Sequence, residues 1–261
     1  MSSETQDVTA TARSKISLTS QMAASRVLTP PSTHVASTAV ANGSALCAVH
    51  GCPDATVPLG GSSKRILDIG IAVVAIILLL PPMLLVMGLI KLTMGSPIFF
   101  SHVRIGFRGK AFHCYKLRTM VTGADKMLAR HLKSDPQAAQ EWRETRKLRR
   151  DPRVTFIGHL LRKSSLDEVP QLINVLRGEM SCVGPRPVTA DELPRYGPHA
   201  TEYLQTRPGV TGIWQVSGRN SLNYADRIAL DSRYVRTWSL WNDLVILGRT
   251  VFAVMKFDEA A

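Results

Sequence analysis

Residues 64–90 read KRILDIGIAVVAIILLLPPMLLVMGLI. From Ile69 to Ile90 about 22 residues pass without a charged side chain, close to the roughly 20 that a helix needs to cross a bilayer. Pro81-Pro82 falls in the middle, where it removes two backbone donors and forces a break. Basic residues flank both sides, Lys64 and Arg65 before, and Lys91, Arg104, Arg108 and Lys110 after. A spanning helix would leave one basic flank on the far side of the membrane. A helix that enters, breaks at the prolines and returns to the same face satisfies both observations; a plain transmembrane helix and a buried core helix are the alternatives. Lys64 and Arg65 are then expected at the lipid headgroups.

Before this segment, residues 1–62 are rich in Ser, Thr, Ala and Pro and show no sustained period, which predicts a disordered tail. The tail lacks the apolar core of a secretory signal peptide, and Glu4, Asp7 and the sparse arginines argue against a transit peptide. Cys47, His50 and Cys52 have metal-ligand chemistry but no matching second pair, so zinc is not expected. The four cysteines have no framework spacing, which fits a reducing compartment.

After it, the balance of charge changes. Residues 91–261 hold 27 of the 32 Lys and Arg and 16 of the 20 Asp and Glu, an excess of 11 within a formal net charge of +12. Such a domain calls for an anionic partner: nucleic acid, an acidic membrane surface or a phosphorylated small molecule. Residues 96–120 read as a β-hairpin turning over Gly106–Gly109. Lys116 and Arg118, two apart, would share one face of an extended strand and grip a phosphate, or simply be solvated. Residues 122–148 have a helical pattern interrupted at Asp135-Pro136 and end in a basic cluster, either a solvated face or a contact with lipid phosphates. Without a stacking motif, finger or recognition helix, nucleic acid is not an expected partner.

The stretch Arg162–Pro187, RKSSLDEVPQLINVLRGEMSCVGPRP, holds the chemistry. Its apolar period (Val169, Leu172, Ile173, Val175, Leu176), with Pro170 early and Gly178 at the end, predicts a helix with Asp167 and Glu168 in its first turn. A helix N-terminus favours the ionised form of both. Among nearby arginines an ionised aspartate can attack a phosphoryl group, and a neighbouring glutamate can hold Mg²⁺. The competing account is a capping box, Ser165-x-x-Glu168, with Asp167 only complementing the helix dipole.

Two more arginine-bearing turns follow. Gly184-Pro185-Arg186-Pro187 restricts its arginine between prolines, and RPGVTGIWQVSGRN (207–220) sets Arg207 and Arg219 among three glycines. Both suit an oriented anion contact, and both are also ordinary turns. Trp214 reads as core. Trp238–Met255 is an apolar helix suited either to the membrane interface or to packing on the domain.

DPRVTFIG (Asp151–Gly158), Leu161–Pro187 and Arg207–Asn220 together resemble the bacterial sugar transferases, the monotopic phosphoglycosyl transferases of the undecaprenyl-phosphate galactose and glucose phosphotransferase type. The resemblance covers roughly residues 63–256 and leaves the tail unexplained. It implies that Asp167 is a nucleophile toward the β-phosphate of a UDP-sugar and that Glu168 binds Mg²⁺. It also implies UMP release, a phosphosugar held on the enzyme, and polyprenyl (undecaprenyl) phosphate as acceptor. Lys116, Arg118, Arg162, Arg186, Arg207 and Arg219 are the implied phosphate contacts, and galactose or glucose the implied sugar. The enzyme would begin exopolysaccharide or other surface-glycan synthesis from the cytoplasmic face of the bacterial inner membrane. Larger relatives carry four preceding transmembrane helices and an extra domain, which the tail here does not match.

The expected architecture is helix-rich α+β: a small β-hairpin plus helices on a re-entrant membrane helix broken at proline. Its parts are a tail (1–62), the membrane helix (63–95) and a catalytic domain with interfacial helices (96–261). An aspartyl-phosphate phosphohydrolase and a membrane-anchored basic binding module for acidic lipid or nucleic acid are the alternatives in function.

Overall fold

The computed structural model describes residues 55–145, 148–218 and 222–255. Most of the expected tail lies outside the described residues, as do Cys47, His50, Cys52 and Arg219. The described residues begin with helix α1 (Gly61–Met94), hairpin strands β1 (Phe99–Ile105) and β2 (Ala111–Leu117), and helices α2 (Ala124–Ser134) and α3 (Pro136–Thr145). Helix α4 (Phe156–Ser164), a 3-10 turn (Leu166–Glu168), α5 (Gln171–Arg177) and strand β3 (Ser181–Val183) follow. A 3-10 segment (Leu193–His199), α6 (Ala200–Leu204), β4 (Gly209–Thr211), α7 (Ile213–Val216), α8 (Tyr224–Arg236) and α9 (Leu240–Met255) complete the order. The class is the expected helix-rich α+β with a small hairpin.

Helix α1 is 34 residues, about 51 Å at 1.5 Å per residue, and long and apolar enough to cross a membrane. Of its most apolar window 11% is buried, so it is not a core helix. Its backbone stays helical through Pro81 and Pro82, where a break was expected. The prolines remove the amide hydrogen bonds that would reach the carbonyls of Ile77 and Leu78.

Both ends of α1 are tied to the domain. Near its start, Lys64 is 3% exposed and pairs with Asp243 of α9 at 2.6 Å. The Tyr234 hydroxyl (2.8 Å) and Trp238 Nε1 (3.0 Å) also donate to Asp243. One turn on, Asp68 accepts from the Ser181 hydroxyl and the Cys182 amide, both at 2.9 Å. At the far end, Arg118 donates to the carbonyls of Met94 and Gly95, the latter at 2.9 Å.

The hairpin is antiparallel, in register from Phe99 opposite Leu117 to Ile105 opposite Ala111. Phe112 and Cys114 of β2 point into a core with Ala72, Val175, Met180 and Tyr234. Leu117 packs with Met83, Ile90 and Leu161, so the same strand contacts both the early and the late part of α1. A third core, around Ile105, Val188, Tyr196, Tyr203 and Leu204, holds the other edge of the hairpin. Strands β3 and β4 pair in parallel, and a Cβ on Gly209 would come within 2.1 Å of the Gly184 amide, so only glycine fits that crossing.

Truncating one member of a buried ion pair strands the other charge. Asp243→Ala should therefore cost about 3–5 kcal/mol by denaturant unfolding in micelles, and Lys64→Met with Asp243→Leu should restore most of it. A loss below about 1 kcal/mol for the single variant would put the pair in the surface class instead.

Candidate active site

The site is assembled where the end of β2 meets α4. The Thr155 amide donates to the Thr119 carbonyl at 3.1 Å, and Thr155 Oγ1 caps α4 by accepting from the Gly158 amide at 2.9 Å. Gly158 lies so close to the strand exit that a Cβ there would sit 2.0 Å from the Thr119 carbonyl oxygen. One helical turn later, Arg162 Nε donates to Thr119 Oγ1 at 3.0 Å.

Helix α4 ends at Ser165, left-handed at φ 58°, and the 3-10 turn that follows carries both carboxylates. They are not in the first turn of an α-helix: Pro170 is the N-cap of α5, and Gly178, at φ 80°, ends it as expected. Nor does Ser165 cap this turn through its side chain, as the competing capping-box account required. The 3-10 turn has no side-chain cap, and Glu168 reaches instead to Lys116 of β2, Oε1 to Nζ 2.6 Å.

The two carboxylates differ in environment. Asp167 is 7% exposed, and Glu168 is half-buried. Burial first, and then the neighbouring Glu168 charge, push the Asp167 carboxyl up from 3.8 to about 6 against the pull of Lys116 and Arg162. For Asp167 this corrects the expectation that the local backbone favours ionisation, because desolvation outweighs the dipole of a one-turn segment. Burial would lower the pKa of Lys116, but Glu168 and Asp167 outweigh it and its ammonium is stabilised.

Lys116, Arg162, Asp167 and Glu168 thus come together, and the other expected contacts do not join them in the same way. Arg118 does not share the face of Lys116. Strand β2 stops at Leu117, so the alternation ends there, and Arg118 turns to the end of α1. Arg207 Nε donates to the Gly178 carbonyl at 2.7 Å. Arg65 donates to the carbonyls of Val175 (2.5 Å) and Leu176 (2.8 Å), so both arginines close the C-terminus of α5. Lys64, expected at headgroups, is inside the domain because Asp243 provides its counter-charge there. The Arg186 guanidinium stacks on Trp214, 5.5 Å from the ring centre, with Arg227 on the same ring at 5.1 Å.

Sequence reasoning missed Thr119, Arg227, Asp231 and Asp243, and did not see Trp214 as a platform. Thr119 was legible only as the second residue after a short strand, and the two aspartates lie in helices whose buried faces no local pattern marks.

The fold and the site define a class: a basic domain on a long apolar helix, with two carboxylates held among cations that suit phosphorylated substrates. Residues 60–257 match the family model described as bacterial sugar transferase, and the chain belongs to that family. It is 56% identical over 197 residues to the exopolysaccharide production protein ExoY of Sinorhizobium fredii, covering 76% of this chain and 87% of that one. It is 45% identical over 197 residues to the undecaprenyl-phosphate galactose phosphotransferase of Salmonella typhimurium, covering 76% and 41%. It is 41% identical over 206 residues to the UDP-glucose:undecaprenyl-phosphate glucose-1-phosphate transferase of Caulobacter vibrioides, covering 76% and 71%. The protein is an enzyme, a phosphoglycosyl transferase, and the non-catalytic binding module is set aside.

The raised Asp167 pKa carries a stability consequence. The folded state binds that proton more tightly than the unfolded chain, so stability falls as pH rises from about 4 to about 6, and the full cost stands above that. Asparagine mimics the protonated acid. Asp167→Asn should therefore be more stable than the wild type by about 2–3 kcal/mol near pH 8, a gain that shrinks toward zero near pH 4. Equal denaturation midpoints at both pH values would contradict the burial argument.

Proposed function

We propose that the protein transfers a sugar-1-phosphate from UDP-galactose or UDP-glucose to undecaprenyl phosphate, through a phosphosugar held on Asp167, and so begins an exopolysaccharide. The observation that carries this reading is the buried Asp167 carboxylate beside the Lys116–Glu168 pair and Arg162. In the first step a carboxylate oxygen of Asp167 attacks the β-phosphorus of the donor. The bond from that phosphorus to the bridging oxygen breaks, and UMP leaves with the electron pair. In the second step an oxygen of the carrier phosphate attacks the same phosphorus, the acyl phosphate bond breaks, and the Asp167 carboxylate is restored.

Poor solvation makes Asp167 a better nucleophile than a surface carboxylate, and a value near 6 keeps it largely ionised at neutral pH. Lys116 and Arg162 would hold the non-bridging phosphoryl oxygens as charge builds there. The donor set also fits Mg²⁺. That ion takes one or two carboxylates plus substrate phosphate oxygens, and no cluster of three or more His, Cys, Asp or Glu is assembled among the described residues. Glu168 would hold it, and bound Mg²⁺ supplies neutralisation of the diphosphate.

The way α1 is tied supports a reading of its membrane placement. One domain grips the helix near its start through Lys64–Asp243 and at its end through Arg118. A domain that does not itself cross the bilayer can hold both ends only if they lie on one side. This supports a re-entrant α1, which would turn back by bending because its backbone stays helical through Pro81 and Pro82; the domain would face the cytoplasm, where nucleotide sugars are available.

Membranes incubated with labelled UDP-galactose or UDP-glucose should yield a labelled protein adduct that undecaprenyl phosphate discharges, and Asp167→Asn should form none. An adduct on the Asn variant, or discharge by water at the same rate as by the carrier, would sink the mechanism; the latter would indicate a phosphohydrolase. Initial rates should fall about tenfold per pH unit below about 6, where Asp167 gains its proton; a flat profile from about pH 5 to 7 would exclude it as the titrating nucleophile. Cysteines placed before Lys64 and after Lys91 should label from the same side of the membrane, and labelling from opposite sides would establish a spanning helix.

A further inference from the structure

A second buried carboxylate, Asp231, gathers its own set of charges. The charges acting most strongly on Asp167 are Glu168, Lys116 and Arg162, whereas Asp231 of α8 is faced by Arg186 and Arg227. Asp231 is 2% exposed. Its Oδ2 accepts from the Tyr196 hydroxyl at 2.8 Å and from the Arg186 amide at 3.3 Å, while Oδ1 is buried without a hydrogen-bond partner. A carboxylate in that position is costly, and burial pushes its pKa up to about 7. Tyr203 and Tyr224 are the other titratable groups that sense its charge.

The sequence explains what this cost secures. Pro185 and Pro187 have no amide hydrogen, so between Gly184 and Val188 the only backbone donor is that of Arg186. The Gly184 amide is bound to the Thr211 carbonyl (2.9 Å) and that of Val188 to the Tyr203 hydroxyl (3.2 Å). The remaining amide, at the arginine itself, goes to Asp231. Backbone bonds fix the rest of the segment, the Gly209 amide to the Pro185 carbonyl at 2.8 Å and the Ile105 amide to the Val188 carbonyl at 2.9 Å. The arginine's own amide is held by a side chain of α8, and the Arg186 guanidinium lies over Trp214, which it shares with Arg227.

We propose that Asp231 is a positioning residue: it fixes the Gly184–Val188 turn so that Arg186, stacked on Trp214, is presented to the diphosphate of the nucleotide-sugar donor. The proposal rests on the donor reading above. It concerns binding of the donor, not the chemistry at Asp167. Loss of the Asp231 acceptor leaves the Arg186 amide unheld while the flanking residues stay tied, and the resulting misalignment of Arg186 weakens donor binding. Asparagine, which keeps an acceptor oxygen for the Arg186 amide, preserves it.

The test uses the full chain in membranes, with whichever of UDP-galactose or UDP-glucose the wild type turns over. Asp231→Ala should raise the donor KM about tenfold or more, the scale of one oriented charge-assisted contact, with kcat within about threefold and the KM for undecaprenyl phosphate unchanged. Asp231→Asn should return the donor KM to within about threefold of the wild type. A merely structural aspartate would lower kcat through loss of active enzyme and leave KM alone, which would overturn the proposal. So would a shift in the carrier KM in place of the donor KM. If the alanine variant does not accumulate folded, Tyr196→Phe decides: it removes one of the two hydrogen bonds to Oδ2 and should raise donor KM about threefold, and an unchanged KM counts against the proposal. A wild type that turns over neither nucleotide sugar would instead refute the donor reading itself, so the two failures are distinct.

Discussion

An almost fully buried carboxylate with a second one beside it stays largely ionised at neutral pH only if cations answer it from outside its own segment. Lys116 answers Glu168 from the hairpin, and Arg162 answers Asp167 from the helix before it. Each cation has to be delivered by a different element, so the meeting of β2 with α4 is a requirement of the site. Gly158 permits that meeting, and Thr119 fixes both the helix entry, through its carbonyl, and the arginine, through its hydroxyl. What results is a carboxylate poorly solvated but not neutral, at a cost in stability that the surrounding cores bear.

The same strand exit joins the site to the apolar helix. Lys116 reaches Glu168, and two residues later Arg118 binds the last carbonyls of α1. At the other end of α1 the anchor is a buried network of Lys64, Asp243, Tyr234 and Trp238. Charges read from sequence as outward-facing are therefore largely internal fasteners: Lys64 to α9, Arg65 and Arg207 to the end of α5, Arg118 to the end of α1. Each satisfies helix-terminal carbonyls or a buried carboxylate that would otherwise be unpaired.

Much of the fold was legible locally. The hairpin over Gly106–Gly109, the helix interruption at Asp135-Pro136 and the stop at Gly178 all came from turn and cap chemistry, which acts within a few residues. The Asp167-Glu168 pair was legible as a candidate, and family resemblance gave it a role. Its local form was not. Ser165-x-x-Glu168 has the spacing of a capping box, but Ser165 ends α4 in a left-handed conformation and Glu168 finds Lys116, 52 residues away. Local hydrogen-bond rules cannot anticipate a partner brought by another element.

By itself, then, the sequence determined the helix-rich class, the long apolar helix, the hairpin and the basic domain. Those depend on hydrophobic period, proline and glycine geometry and net charge, all of which are properties of short windows. Only the tertiary structure decided which cations face Asp167, that burial raises its pKa, and that Asp231 holds the arginine turn. Electrostatic environment is set by what approaches through space and by how much water is excluded, and neither is encoded in residue spacing along the chain.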